Sequence, residues 1–557
     1  MIRGRTAALL AIACVGLAYC TIIQPVGWNQ ASHYALIRSI DAHTPRIDRY
    51  AGSTGDRARY QGHWYSSRAP GLAMVSVPLY EAFERVGLTS HYRQRLGGRK
   101  NSEIVWLLGI WAATLPAVVM MFLVYRIGDR LEPGYGVLAA VTLGLGTLVL
   151  PFGTMLFSHV LSAALGFAAF ALLFRERMNP ERRRLWPFAL AGIGAGYAVT
   201  VEYPLLFVGI VLGVYAVTMG DAVRRGALYL AGAIVGIVPL AVYNLWAFGT
   251  VTHVAYADIP KQQSGFFGIQ VPDPSVAIQL LLSSRGLLTL APVLAMGIAG
   301  TVILYRRGNR AEAAVIAAVG LIFLAYNSGY YLPYGGRVPG PRFLIATLPF
   351  LALPLGIAYR RFPGPTVALG TISAMTLGVA TMTEPLVSAE GDVGMWTHQL
   401  FTGHLQPTFV KIWRVHDQWL VTAPFLAALL LGIVIAVRAA PRLRVGWRSV
   451  ATGAAVAGAW TLFAIFAPHL LGIDHAAERK IVEAGDPTAV FNAYGVHPLV
   501  DLALMALGAA LVCLLGARLV TARRPLPAEA PPEERETMVG PAAAAQGDRL
   551  KSTVSPI

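Results

Sequence analysis

The stretch YGVLAAVTLGLGTLVLPFGTMLFSHVLSAALGFAAFALLFRER runs from Tyr135 to Arg177 and decides the fold. Residues 135–174 contain no Asp, Glu, Lys or Arg. One membrane-spanning helix takes about 20 apolar residues, so this run holds two. Arg130 stands before it, and Arg175, Arg177, Arg182, Arg183 and Arg184 follow it. Arginine-rich flanks mark the cytoplasmic side. With both ends inside, the run reads as a helical hairpin whose turn, LPFGTMLFSH, faces out. Residues 187–219 repeat the pattern between that basic cluster and Arg224 with Arg225, with the turn at TVEYP.

The rest of the 557-residue chain extends this reading. It is 55% hydrophobic and only 13% charged, with a mean hydropathy of +0.56. Soluble domains carry about 25% charged residues, so a soluble multidomain protein is excluded. Further single-helix segments are read at 6–24, 104–125, 227–248, 286–305, 311–328, 343–359, 365–383, 418–437, 447–468 and 497–519. Together they give an all-α polytopic membrane protein of about 14 transmembrane helices. Both termini fall in the cytoplasm of a cell (plasma or inner) membrane protein. The start, MIRGRTAALLAIACVGLAYC, is read as an uncleaved signal-anchor. The formal charge is +16, but the arginines sit in short turns between apolar runs, where orientation accounts for them and nucleic acid does not. Cys14, Cys20 and Cys513 all lie in apolar runs, so no disulfide framework is implied.

Five regions follow: 1–24 as the first helix, 25–101 as a long outer loop, 102–383 as a transmembrane core, 384–523 as C-terminal helices and loops, and 524–557 as a Pro- and acid-rich cytoplasmic tail without periodicity. Within the first loop, 33–42 and 71–86 have mixed polar and apolar faces and read as interfacial helices. This loop is rich in arginine. Loops longer than about 60 residues escape the charge rule, so the topology stands and the positive charge has another origin.

Polar residues collect on the outer side. They are Asn29, Asp48, Asp56, His63, Tyr65 and Arg68 in the first loop, His159 and Glu202 at the two hairpin turns, and Tyr256, Lys261, Arg285, Tyr330, Tyr331, Arg337 and Arg342 further on. Arginine binds phosphate bidentately and aromatic faces stack on sugars, so an outer site with a lipid-facing wall suits an anionic amphiphile such as a lipid-carried sugar phosphate. Transfer from it needs a carboxylate base and cations for the departing phosphate. His469, Asp474 and His475 are metal-type residues, but too loosely spaced for a metal site.

The first loop resembles that of membrane glycosyltransferases of the GT-C superfamily, especially the bacterial protein-mannosyltransferase-like and aminoarabinose-transferase-like group. Asn29, the helix HYALIRSI, Asp56 and GHWYSSRAPG carry the resemblance, with FSH at 157–159, EYP at 202–204, YNLWAFG at 243–249, SSRGLL at 283–288 and GPRFL at 340–344. It covers about 25–360. It implies a GT-C-like bundle and an inverting transfer of a sugar from a polyprenyl-phosphate carrier to a hydroxyl of a glycan, lipid or protein at the outer face. Asp56 or Asp48 would be the base, Asp56 being favoured. Arg68, with Arg285 or Arg342, would hold the donor phosphate. Asn29, His63, Tyr65, His159, Glu202, Tyr256 and Arg337 would line the substrates. The chain departs from the superfamily at Asn29–Gln30, where many members have an Asp-Glu pair. No cofactor is expected; a divalent metal is left open, because some GT-C enzymes use one and others do not. The rival reading is a transporter or flippase of lipid-linked sugars, which would place charges near mid-bilayer.

Overall fold

The computed structural model describes residues 4–89, 102–182, 184–259, 265–386, 393–471 and 496–522. The elements used below are α1 (Gly4–Thr21), α2 (Trp28–Asp41), β1 (Arg57–Tyr60), β2 (His63–Ser66), α3 (Gly71–Arg85), α4 (Glu103–Leu131), α5 (Gly136–Leu145), α6 (Ser158–Arg177), α7 (Trp186–Val201), α8 (Leu205–Val217) and α9 (Ala222–Phe248). The fold is an all-α polytopic membrane fold. Among the described residues, nine helices are long and apolar enough to cross a membrane, eleven if two bent pairs each count as one span. Lys261, Asp474, His475 and the tail 524–557 lie outside the described residues, and the side chain of His469 is likewise not described.

Of the expected transmembrane helices, several depart from straight, full-length spans in two ways. The segments 286–305 and 343–359 are not straight: Pro274–Leu290 meets Val293–Arg306 at 92°, and Arg342–Ala352 meets Leu355–Arg361 at 54°. Pro292 and Pro354 stand at the breaks, where a ring without an N–H cannot continue the helical ladder. The hairpin helices are also short. α5, α7 and α8 have 10, 16 and 13 residues; ten residues rise only about 15 Å, half a hydrocarbon core. Residues 135–160 are all buried, the turn included. A run apolar on every side therefore lies inside the bundle here, not against lipid.

Glycine sets a very close helix contact. Gly192 and Gly196 of α7 face Gly232 and Gly236 of α9. A Cβ built on any of the four would come within 2.0–2.3 Å of a carbonyl oxygen on the other helix. Helices pack this closely in lipid when small residues four apart leave backbone against backbone. The seam fixes α7, whose end carries Glu202.

The first loop folds on its own core, in which Leu36, Ile47, Tyr65, Leu72 and Tyr80 pack with Tyr243 and Phe248. β1 and β2 pair as an antiparallel hairpin with Arg57 opposite Ser66 and Tyr60 opposite His63. Its two-residue turn, Gln61–Gly62, has φ of 46° and 85°, the left-handed pair that suits a twisted hairpin. Part of the loop's positive charge is accounted for here. Arg38 lies 3.7 Å from the Tyr50 ring centroid, and Arg57 lies 4.2 Å from that of Trp64, in cation–π contact. The two helices expected in this loop are α2 and α3. α2 begins earlier than read, at Trp28, and its buried face includes Asn29, Gln30, Ser32, His33 and Ser39. It is a polar helix docked into protein, which the reading as a helix lying on the membrane does not describe.

Candidate functional site

The hairpin register brings Asp56 and Arg68 together. With Arg57 opposite Ser66, the chain continues as a pair, the Ser67 N–H donating to the Asp56 carbonyl at 3.3 Å. The two side chains close on each other, Arg68 Nη2 to Asp56 Oδ2 at 2.5 Å. The proposed acid and cation are therefore joined at the open end of the hairpin. The aromatic segment between them in sequence turns away. α2 holds this end in place: Ser32 donates to the Asp56 carbonyl at 2.6 Å and lies 2.8 Å from Ser66 Oγ, which accepts the Arg68 N–H at 3.1 Å.

Ala69–Pro70–Gly71 then steers Arg68 toward α7. Pro70 precedes the first turn of α3, and a Cβ on Gly71 would lie 2.7 Å from the Thr200 carbonyl oxygen. Tyr197 also donates to the Gly71 carbonyl at 3.1 Å. The Gly71–Thr200 contact sits two residues before Glu202. Glu202 is buried, accepts a hydrogen bond from Ser158, and lies 3.4 Å from His159 Nδ1. His159, Glu202, Pro204 and Phe343 line a small cavity.

Arg342 enters from the other side. It is 5% exposed and its guanidinium lies 5.1 Å from the Phe343 ring centroid and 5.9 Å from that of Phe157. It forms no salt bridge among the described residues, and its Nε has no hydrogen-bond partner. Gly335, at φ 80°, makes room for it: a Cβ there would meet Arg342 Nε at 2.3 Å. Arg68, Arg342, Asp56 and Glu202 act on one another electrostatically. Burial would lower the Arg68 pKa, but Asp56 first, with Tyr256, Glu202 and Tyr330, together outweigh it and hold the guanidinium protonated, above its usual range. Tyr256, half-buried with its ring 5.2 Å from that of Tyr203, adds a phenol to the same group.

The other sequence-read residues sit elsewhere. Asp48 binds the hairpin back, 2.9 Å from His63 Nδ1 and accepting the Trp64 N–H at 2.7 Å; both Asp48 and His63 are 41% exposed. Tyr65 is buried with its ring 5.0 Å from that of Phe248. Arg285 donates to the Val338 carbonyl and lies over the Tyr334 ring, bracing the loop that leads to Arg342. Arg337 is exposed. Asn29 and Gln30 divide their roles: Gln30 Oε1 accepts the Gly27 N–H at 2.6 Å and caps α2, while neither polar atom of Asn29 is bonded. Two residues of this neighbourhood carry no site role in the sequence reading: His33, which belongs only to an amphipathic pattern, and Ser158, which appears only within FSH. Among the described residues no three His, Cys, Asp or Glu side chains form a metal-type group.

No family model and no curated protein matches the chain. Solved structures do. ArnT from Cupriavidus metallidurans in the apo state is 17% identical, with a TM-score of 0.43, over 93% of this chain and 78% of that one. The same protein bound to undecaprenyl phosphate gives 15%, 0.40, 93% and 77%. The Archaeoglobus fulgidus oligosaccharyltransferase in the apo form gives 10%, 0.38, 77% and 56%. These are loose likenesses in overall fold, and residue roles rest on this chain's own geometry.

Proposed function

We propose that the protein is an inverting glycosyltransferase that moves a sugar from a polyprenyl-phosphate carrier to a hydroxyl acceptor at the outer face of the membrane. The observation that carries the reading is Arg342, a buried guanidinium without a carboxylate of its own, beside an Asp56–Arg68 pair. An unpaired buried charge is costly, and a phosphate monoanion offset by two guanidiniums removes that cost. Asp56 Oδ2 engages Arg68, leaving Oδ1 for the acceptor. In the transfer, the acceptor oxygen bonds to the anomeric carbon from the face opposite the phosphate. Its proton passes to Asp56. The carbon–oxygen bond to phosphate breaks, its electron pair stays on the phosphate, and polyprenyl phosphate leaves, neutralised by Arg68 and Arg342. A positioned base contributes about 10²–10⁴-fold; preorganised cations at the departing charge contribute on a similar scale.

The motif resemblance around GHWYSSRAPG and GPRFL supports the same reading. The test is transfer of radiolabel from a polyprenyl-phosphate sugar by the full-length protein in proteoliposomes. Label appearing covalently on an acceptor, with loss in Asp56→Asn, is the expected result. Lipid crossing the bilayer with its sugar still attached would support the flippase instead.

A further inference from the structure

The reading above uses the charged side of the site and leaves one face of α2 unexplained. Asn29 and His33 are one helical turn apart, so they lie on the same face. Asn29 is 4% and His33 0% exposed. Both polar atoms of the amide and both nitrogens of the imidazole lack a hydrogen-bond partner among the described residues. A buried polar group without a partner is costly, and native proteins leave few of them. The next residue toward the hairpin on this face, Ser32, is by contrast fully engaged.

His33 is also where the charges meet. Burial first, then Arg68 and Arg342, push its pKa down to about 3, so the imidazole is neutral. A neutral imidazole offers one N–H donor and one acceptor, and a carboxamide offers both types as well. That is the complement of hydroxyl groups, each of which donates and accepts. The nearby carboxylates are already engaged, Asp56 by Arg68 and Glu202 by Ser158 and His159. An ammonium group would meet two guanidiniums, and the carboxylate oxygen left open, Asp56 Oδ1, faces the acceptor hydroxyl in the transferase reading.

Resting on the transferase reading, we propose that Asn29 and His33 form a neutral hydrogen-bonding subsite. It takes the hydroxyl groups of the sugar on the carrier lipid and selects an uncharged, hydroxylated sugar over one bearing an ammonium group. His33 and Asn29 are specificity-determining, and the arginines hold the phosphate whatever the sugar.

The experiment measures binding of three probes to the purified full-length protein: undecaprenyl phosphate, its hexose derivative and its aminohexose derivative. One or two neutral hydrogen bonds correspond to about 3- to 30-fold in affinity. The wild type should bind the hexosyl lipid that much more tightly than either other probe. His33→Phe and Asn29→Leu should each lose that preference while binding bare undecaprenyl phosphate within about threefold of wild type. His33→Gln, which keeps a donor and an acceptor, should recover part of it and provides the reading should the Phe variant not fold. Variants that weaken bare undecaprenyl phosphate as much as the hexosyl lipid would overturn the subsite. So would a wild type that binds the aminohexosyl lipid as tightly as the hexosyl lipid. A wild type that binds none of the three lipids would overturn the transferase reading itself; one that binds bare and hexosyl lipids alike overturns only this inference.

Discussion

The molecule buries charge beside arginine in two ways. At the far end of α4, Glu132 is 2% exposed and takes Arg307 Nη1 at 2.6 Å on one oxygen and Arg360 on the other. Both arginines reach water, at 40% and 61% exposure. Nearby in kind, Glu312 takes Arg177 at 3.3 Å and the Tyr215 hydroxyl at 2.8 Å. In these clusters every charge is answered and the cations can hydrate. Around Arg342 the arrangement is reversed: the cation is buried, its Nε is unbonded, and its neighbours include another guanidinium. A closed cluster ties helices together. An open one is complete only with something that the chain does not supply.

The sharpest way to break the comparison is at the acid. Asp56→Asn should lower transfer by about 10²–10⁴-fold while the protein still folds, read as initial rate on the lipid donor alongside the melting temperature. Next, Arg342→Leu should weaken polyprenyl phosphate binding by about 10- to 10²-fold, the worth of charge-assisted hydrogen bonds. It should leave the melting temperature level or higher, since a buried unpaired charge is removed. A lower melting temperature would mean that Arg342 is structural after all. Third, Glu132→Gln should act the other way. It should destabilise the protein by about 1–3 kcal/mol, toward the low end because its arginines can hydrate, and leave the turnover of folded protein unchanged. The smallest effect concerns pH at Asp48. Burial alone would raise its pKa, but the Trp64 N–H and His63 outweigh it and hold it below the ordinary carboxylate value. Its folded value thus lies below its unfolded one, so its stabilisation is present above about pH 3.8 and is lost as pH falls through the folded value. At 41% exposure this amounts to less than about 1 kcal/mol. Wild type and Asp48→Asn should differ slightly in melting temperature at pH 7 and draw together as pH falls below about 3.8.

The bundle was legible because apolar length is a direct signal: the runs and their basic turns mark where helices begin and end. Depth was not legible. Nothing in LPFGTMLFSH distinguishes a turn at the surface from one packed under other helices, so His159 and Glu202 read as outer-turn residues and are found buried. The bends needed only attention to Pro292 and Pro354. In the first loop, RARY and HWYS around Gln-Gly carried a hairpin pattern that a helix-centred reading passed over. With it would have come the pairing of Asp56 with Arg68 and the turning away of the aromatics. His33 gave no signal of its own, because a lone histidine in an amphipathic helix looks like any buried polar residue. Only its surroundings, assembled from segments more than 300 residues apart, set it beside Arg68 and Arg342.

The Gln61–Gly62 turn acts as a ruler for the site. A strand advances about 3.3 Å per residue and alternates its faces, so a turn one residue longer would shift one strand against the other. Asp56 and Arg68 would then be offset by a residue, with one of them on the wrong face. The distance between acid and cation is therefore written into the length of a loop that touches neither, and an insertion there would silence the site without altering any residue in it.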